Sequence, residues 1–312
     1  MFWRVLPLLL LNTMISGGTP IATHAATQSC PPLTLAGIRF LLAGICLWIT
    51  ARAMGYALPY NREDRARLWW LAALCVPLNQ AGYLVGIHFA GAAHGGIAYA
   101  LVPLLIYWVS LWFGQSRWAA RMAFASLLAF LGAGTVVAVT RSFNMEGTSP
   151  LKMLTGDLLL LSAAFTWALF SVLSRPLIQK SGALPLLTVV FLLGSILQLP
   201  IVIIDGICLD LSRWSWSDVT PGGLFGIAYI IFITAYLNYL LWYLVISRYD
   251  ATKSSIITNS SFLITVTWEY LAGNLAWSPW VWVGSSLLLG GIVLANRRRM
   301  RRPIHTETPA DG

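Results

Sequence analysis

The chain has 312 residues, 58% of them hydrophobic and only 10% charged, with a mean hydropathy of +0.73. A soluble domain covers its surface with about 25% charged residues, so this composition excludes one. The net charge of +9 would suit a nucleic acid partner in a soluble protein, but here the positive residues lie between apolar blocks, where they orient a membrane protein, and no nucleic acid partner is expected.

The apolar blocks run close to 20 residues, the length that crosses about 30 Å of hydrocarbon at about 1.5 Å per residue. Only helices or closed barrels satisfy the backbone in lipid. A barrel would alternate in polarity, and stretches such as Leu158–Leu173 do not. The expected fold class is therefore all-α, a polytopic membrane protein. Ten spans are predicted, at 3–24, 33–53, 68–88, 94–114, 119–139, 155–175, 184–204, 223–246, 254–273 and 279–296. The connections are short, so consecutive helices should be antiparallel neighbours. The stretch 140–154, rich in Gly, Ser, Pro and Asn, falls near the midpoint. It divides the chain into a first half, 1–140, an outer linker, 141–154, and a second half, 155–298, followed by a basic and polar tail, 299–312, expected to be disordered.

With the N-terminus inside, the cytoplasmic segments hold Arg4, then Arg52, Arg62, Arg65 and Arg67, then Arg117 and Arg121, Arg175 and Lys180, Arg248 and Lys253, and the run Arg297, Arg298, Arg299, Arg301 and Arg302. The outer segments hold only Arg141, Lys152 and Arg213. This bias favours an even number of spans with both ends in the cytoplasm, in an inner membrane.

The first apolar run has a second reading. Arg4, the run itself and Ala22–Ala26 also fit a cleavable signal peptide, although Gly17, Gly18 and Pro20 interrupt the run and it is long enough to span. The four cysteines have no metal-ligand spacing, and no metal or cofactor is expected. Cys46 and Cys75 fall within spans as small packing residues, whereas Cys30 and Cys208 map to outer loops, where a disulfide is conceivable.

The two halves look alike. Asn79-Gln80-Ala81-Gly82-Tyr83, Ala92-Ala93-His94 and Val102-Pro103, ending Gly114-Gln115, are echoed by Tyr236-Leu237-Asn238-Tyr239, Asp250-Ala251-Thr252 and Ser260-Ser261, ending Gly273-Asn274. An offset of 158 carries Ala93 to Ala251 and Pro103 to Ser261. Two halves of five spans would have opposite topology, the inverted repeat of secondary transporters.

With Ile38-Arg39-Phe40, the Ala92-to-Gln115 block, Gly156-Asp157-Leu158-Leu159, Thr166-Trp167-Ala168, the Ala251-to-Asn274 block and Gly290-Gly291-Ile292-Val293-Leu294, the chain resembles the drug/metabolite transporter superfamily, in its EamA-like branch of ten-helix permeases. The resemblance covers nearly all of 3–298. The Gly-Glu with which that family ends its fourth and ninth spans reads Gly114-Gln115 and Gly273-Asn274 here, and its ninth-span Pro is Ser261. The resemblance implies a central cavity lined by spans 1–4 and 6–9, with spans 5 and 10 peripheral, and export or exchange of small metabolites.

Charges within a bilayer are costly and mark function by default. Arg39, roughly 9 Å into its span, is a candidate ligand for a substrate carboxylate, and Glu269, roughly 6 Å in, a candidate proton or cation coupling site. Their similar depths would let both serve a zwitterion. A structural ion pair or interfacial snorkelling is the plainer alternative. Ser254, Thr258, Ser261, Thr265 and Glu269 share one face of a helix, a polar stripe suited to lining a cavity or to hydrogen bonding between helices. Asn79 with Tyr83, and Asn238 with Trp242, pair an amide with an aromatic wall at a spacing of four, and Asn259, Tyr99 and Trp167 are further substrate-binding candidates. Trp3, Trp69, Trp70, Trp118, Trp214, Trp216, Trp277 and Trp280 sit near span ends as interface anchors, and His88 and His94, at a tight outer turn, read as structural. Small pairs Ala125/Ala129 and Ser286/Gly290 suit close helix packing or a homodimer.

No Gly-rich Lys-Ser/Thr phosphate loop is present, so ATP is not the direct energy source. The expected function is a secondary transporter, exporting or exchanging a small polar metabolite such as an amino acid by alternating access, with proton coupling open. The alternatives are a membrane-embedded enzyme, which would need a metal motif or paired acids at one depth, and a non-transporting scaffold.

Overall fold

Prolines open many of the helices. Pro32, Pro150, Pro221 and Pro279 each stand in a first turn, where the missing N–H would have had no partner. The computed structural model describes residues 2–58, 61–143, 149–204, 219–248, 258, 260–275 and 277–296. In chain order the helices are α1 (Phe2–Ser29), α2 (Pro32–Ala53), α3 (Arg65–Ala73), α4 (Asn79–Ala90), α5 (Ala92–Ala100), α6 (Val102–Trp112), α7 (Ala120–Phe143) and α8 (Pro150–Leu173). They continue with α9 (Arg175–Ser181), α10 (Ala183–Ile204), α11 (Pro221–Ala228), α12 (Tyr239–Arg248), α13 (Ser261–Leu271) and α14 (Pro279–Asn296). Wider, π-helical turns join α3 to α4 over Leu74–Leu78 and α11 to α12 over Tyr229–Asn238.

Among the described residues six stretches are long and apolar enough to cross a membrane: Pro32–Ala53, Arg65–Ala90, Ala120–Thr140, Pro150–Leu173, Ala183–Ile204 and Pro221–Trp242. The α5–α6 pair makes a seventh if counted as one span. It is bent by 41° at Leu101. The reason is local: Pro103 has no N–H to donate and disfavours helical backbone in the residue before it. The expected straight span 94–114 is therefore two helices. The expected first span is α1, about 42 Å long, which carries Asn12, Thr13, Thr19, Thr23, His24 and Thr27. Helix α14 is apolar but shorter. Part of the expected span 254–273 lies outside the described residues, as do Ser254, Asn259, Cys208, the outer Asp205, Asp210 and Asp218, and the tail from 297.

Helix α2 packs along α10, α4 along α8, α7 along α14, and α1 along α11 and the π-helical turn after it. Phe40, Leu47, Leu71 and Phe191 fill the core between α2, α3 and α10, with the Phe40 and Phe191 rings edge-on at 4.5 Å. The α7–α14 pair makes few other contacts. There a Cβ on Gly132 would stand 2.5 Å from the Gly284 carbonyl oxygen, so glycine is what lets the backbones meet. Ala125 and Ala129 are buried against Gly291, as the small-residue pattern predicts. Ser286 and Gly290 sit at the edge of that seam, where a Cβ on Gly290 would meet Leu128 Cδ2 at 3.7 Å. They line an open groove with Leu289, Val293 and Leu294, because α14 turns Gly284, Leu288 and Gly291 inward instead. Trp70, Trp118, Trp277 and Trp280 are exposed near helix ends, as interface anchors would be.

Outside the spans, Lys180 in the last turn of α9 meets Asp64 before α3 at 2.6 Å, and this carboxylate raises the Lys180 ammonium above its ordinary range.

Candidate functional site

Arg39 is placed by α2, about 10 Å along the helix from Pro32, and is 3% exposed. Its Nε donates to the Ile230 carbonyl at 3.1 Å, within the second π-helical turn, and its Nη1 donates to Gln80 Oε1 at 3.1 Å. Gln80 in turn donates to Asn79 Oδ1. Asn79 Nδ2 donates to the Tyr99 hydroxyl at 2.8 Å and to the Ala163 carbonyl at 2.6 Å. This chain of contacts ties α2, α4, α5, α8 and the turn before α12 together. Tyr83 and Tyr99 meet edge-on at 4.7 Å, and Tyr239 also lies within electrostatic reach of the guanidinium. Tyr239 stacks edge-on against Trp167 at 6.2 Å and Phe191 at 5.3 Å.

Five of the expected substrate residues, Arg39, Asn79, Tyr83, Tyr99 and Trp167, thus come together around one neighbourhood. Gln80 and Tyr239 belong to it and escape a pattern reading. A straight α-helix turns adjacent residues about 100° apart, so one amide was expected to face the site. Pro77 sits in the π-helical turn just before them, and both Asn79 and Gln80 are buried.

Asn238 belongs to a second cluster. Asn12 Nδ2 donates to Asn238 Oδ1 at 2.7 Å, Asn238 Nδ2 donates to Ser16 at 3.1 Å, and Thr258 donates to Asn12 Oδ1 at 3.2 Å. Thr265 donates to the Gly17 carbonyl at 2.7 Å, and Thr19 pairs with Thr234 at 3.0 Å. The polar stripe of α13 therefore faces α1, and Thr258 and Thr265 are used in helix–helix hydrogen bonds. Gly17 makes this possible: a Cβ there would lie 2.6 Å from Ile264 Cβ. Asn12 is the residue missed here. Trp242 is half-buried one turn beyond Asn238, and Asn259 lies outside the described residues.

Glu269 is 9% exposed on α13, with the Asn274 side chain on its carboxylate and His24 within electrostatic reach. Among the described residues no ion pair joins it to Arg39, so the alternative of a structural Arg39–Glu269 pair is not formed. Another carboxylate, that of Asp157, has a close partner among the described residues. His94 Nδ1 meets Asp157 Oδ1 at 2.6 Å, and His94 Nε2 meets Thr140 Oγ1 at 2.7 Å, linking α5, α8 and α7. His94 is structural, as expected from its place at the turn, although its acidic partner was not foreseen.

An all-helical chain with several apolar spans around a buried polar centre is a multi-pass membrane protein. The EamA-like transporter family matches residues 154–297. An uncharacterized transporter of Archaeoglobus fulgidus is 25% identical over 298 residues, 94% of this chain and 97% of the relative. The transporter YetK of Bacillus subtilis is 24% identical over 285 residues, 89% and 82% of the two chains. A probable amino-acid metabolite efflux pump of Escherichia coli is 24% identical over 258 residues, 79% of each. One solved crystal structure aligns over 96% of this chain and 98% of its own, with a TM-score of 0.65 at 19% identity, which shows the same fold. The second half of the chain thus matches the EamA-like transporter family, and nearly the whole chain is similar to proteins named as transporters.

Proposed function

We propose that the chain is a secondary transporter that exports or exchanges a small polar metabolite by alternating access, with ten spans in two inverted five-helix repeats. The observation that carries this reading is the Arg39–Gln80–Asn79–Tyr99 network, a buried cation and amides held at the meeting point of spans from both halves. Buried charge in a membrane protein is retained for function more often than for stability.

The packing supports the repeat. If the halves are related by a two-fold axis in the membrane plane, span 2 can pair with its own counterpart 7 and span 5 with its counterpart 10, and pairing of spans 1 and 8 implies pairing of 6 and 3. The α2–α10, α7–α14, α1–α11 and α4–α8 contacts follow this rule. So do the helix ends: Gln115 N–H donates to Ser110 O and Asn274 N–H to Glu269 O, after Gly114 and Gly273 at φ 67° and 77°. The π-helical turns Leu74–Leu78 and Tyr229–Asn238 also overlap at the offset of 158. Such turns recur at functional sites, and here each leads directly into a substrate-facing amide or tyrosine.

Arg39 serves a substrate carboxylate, and Asn79, Tyr83, Tyr99 and Trp167 shape the site. Asn238, Trp242, Thr258 and Thr265 flank the neighbouring path beside α1, Asn259 is a further substrate-binding candidate from the sequence, and Glu269 is the coupling candidate. Both ends lie in the cytoplasm and the protein resides in the inner membrane, following the charge bias. A homodimer through the groove at Ser286 and Gly290 is compatible with this arrangement.

The test is uptake of labelled amino acids and organic acids into inverted vesicles from expressing cells. Uptake above that of vesicles lacking the protein is expected. Uptake unaltered by a protonophore would rule out proton coupling through Glu269, and no uptake of any solute would end the transport reading.

A further inference from the structure

We infer that the substrate bound at Arg39 carries one negative charge and no balancing ammonium: a small organic acid, such as a 2-hydroxy acid, in preference to the matching amino acid. The inference rests on the transport reading above and names the substrate class of that site.

The guanidinium has five N–H donors in a planar fork. Nε and Nη1 are engaged by Ile230 O and Gln80 Oε1, both neutral, and Nη2 donates to no described residue. The groups around it, Asn79, Gln80, Tyr83, Tyr99 and Tyr239, are also neutral. The described acidic residues are committed elsewhere. Glu63 and Asp64 precede α3, outside the spans, and Asp64 holds Lys180. Asp157 is held by His94, and Glu269 by Asn274 with His24 nearby.

A buried cation is therefore left without a counter-ion among the described residues. A charge in a low-dielectric interior is costly unless paired. A carboxylate with no other charge neutralises the site on binding. A zwitterion brings its own cation, so the site keeps a net charge of +1 and must also desolvate an ammonium with only neutral oxygens to receive it. The bidentate fit of guanidinium to carboxylate explains why the position is Arg and not Lys.

The experiment uses the purified full-length protein and matched pairs: lactate with alanine, 2-hydroxyisocaproate with leucine, phenyllactate with phenylalanine. Thermal stabilisation reads binding, and exchange of the labelled compounds across proteoliposomes reads transport. The hydroxy acid of at least one pair is expected to act at a concentration at least tenfold lower than its amino acid. Arg39→Gln is expected to remove that preference, and Arg39→Lys to retain part of it. If Arg39→Gln does not fold, the wild-type comparison and Arg39→Lys still decide. Equal or stronger action of the amino acids, a preference that survives Arg39→Gln, or no stabilisation by any member overturns the inference. Stabilisation by hydroxy acids without exchange leaves the inference standing and overturns transport, whereas exchange of amino acids independent of Arg39 does the reverse.

Discussion

Arg39 is held less by charge than by two neutral acceptors, and this makes Gln80 the residue on which its orientation depends. Gln80→Leu leaves Arg39 Nη1 without its acceptor in a buried setting, where an unsatisfied polar group costs about 1–3 kcal/mol, while Asn79 Oδ1 keeps the Tyr99 hydroxyl at 3.1 Å. We expect a lowered melting temperature and at least a tenfold loss of solute affinity, with Gln80→Glu instead trapping Arg39 in an ion pair and abolishing anion binding. Thermal melts with and without hydroxy acid check both outcomes. Arg39, Asn79 and Tyr99 stood out in the sequence because a charge, an amide and a phenol are uncommon inside apolar blocks. Gln80 was hidden by helical phase, since it neighbours Asn79 and yet both are buried. Asn12 was hidden by its place in a run that also fits a signal peptide.

Helices are straight where the sequence is plainly apolar and altered where it is not. Leu158–Leu173 and 184–204 were read almost to their ends, whereas the bend at Leu101 and the π-helical turns depend on how missing hydrogen bonds are absorbed, which hydropathy does not register. Close approach between helices is equally sharp. Gly132→Leu would drive a side chain into the Gly284 carbonyl, and overpacking of this kind costs about 1–3 kcal/mol or more, so a marked fall in melting temperature is expected. The His94–Asp157 contact ties α5 to α8, and Asp157→Asn removes the charge while keeping the shape. Its expected cost is about 1–3 kcal/mol of stability with the hydroxy acid preference unchanged, since this pair does not touch Arg39. A lost preference would mean that Asp157 reaches the Arg39 site.

At the scale of the whole molecule, the class was legible from composition and several of the spans from hydropathy, while the meeting of Arg39 with Ile230 and Gln80 required the fold. Orientation can be tested with all four native cysteines replaced. Leu151→Cys, 71% exposed at the start of α8, should react with an impermeant maleimide on intact cells, and Gln115→Cys, exposed after α6, only after permeabilisation. The reverse pattern would invert the topology. The central claim is that this chain moves a solute across the membrane through the Arg39 network, and exchange across proteoliposomes containing wild-type or Arg39→Gln protein, matched in amount and helical content, tests it most directly. The account predicts exchange of a small organic acid by the wild type and at least a tenfold slower rate in the variant; no exchange by correctly inserted wild type, or equal rates in the two, would contradict it.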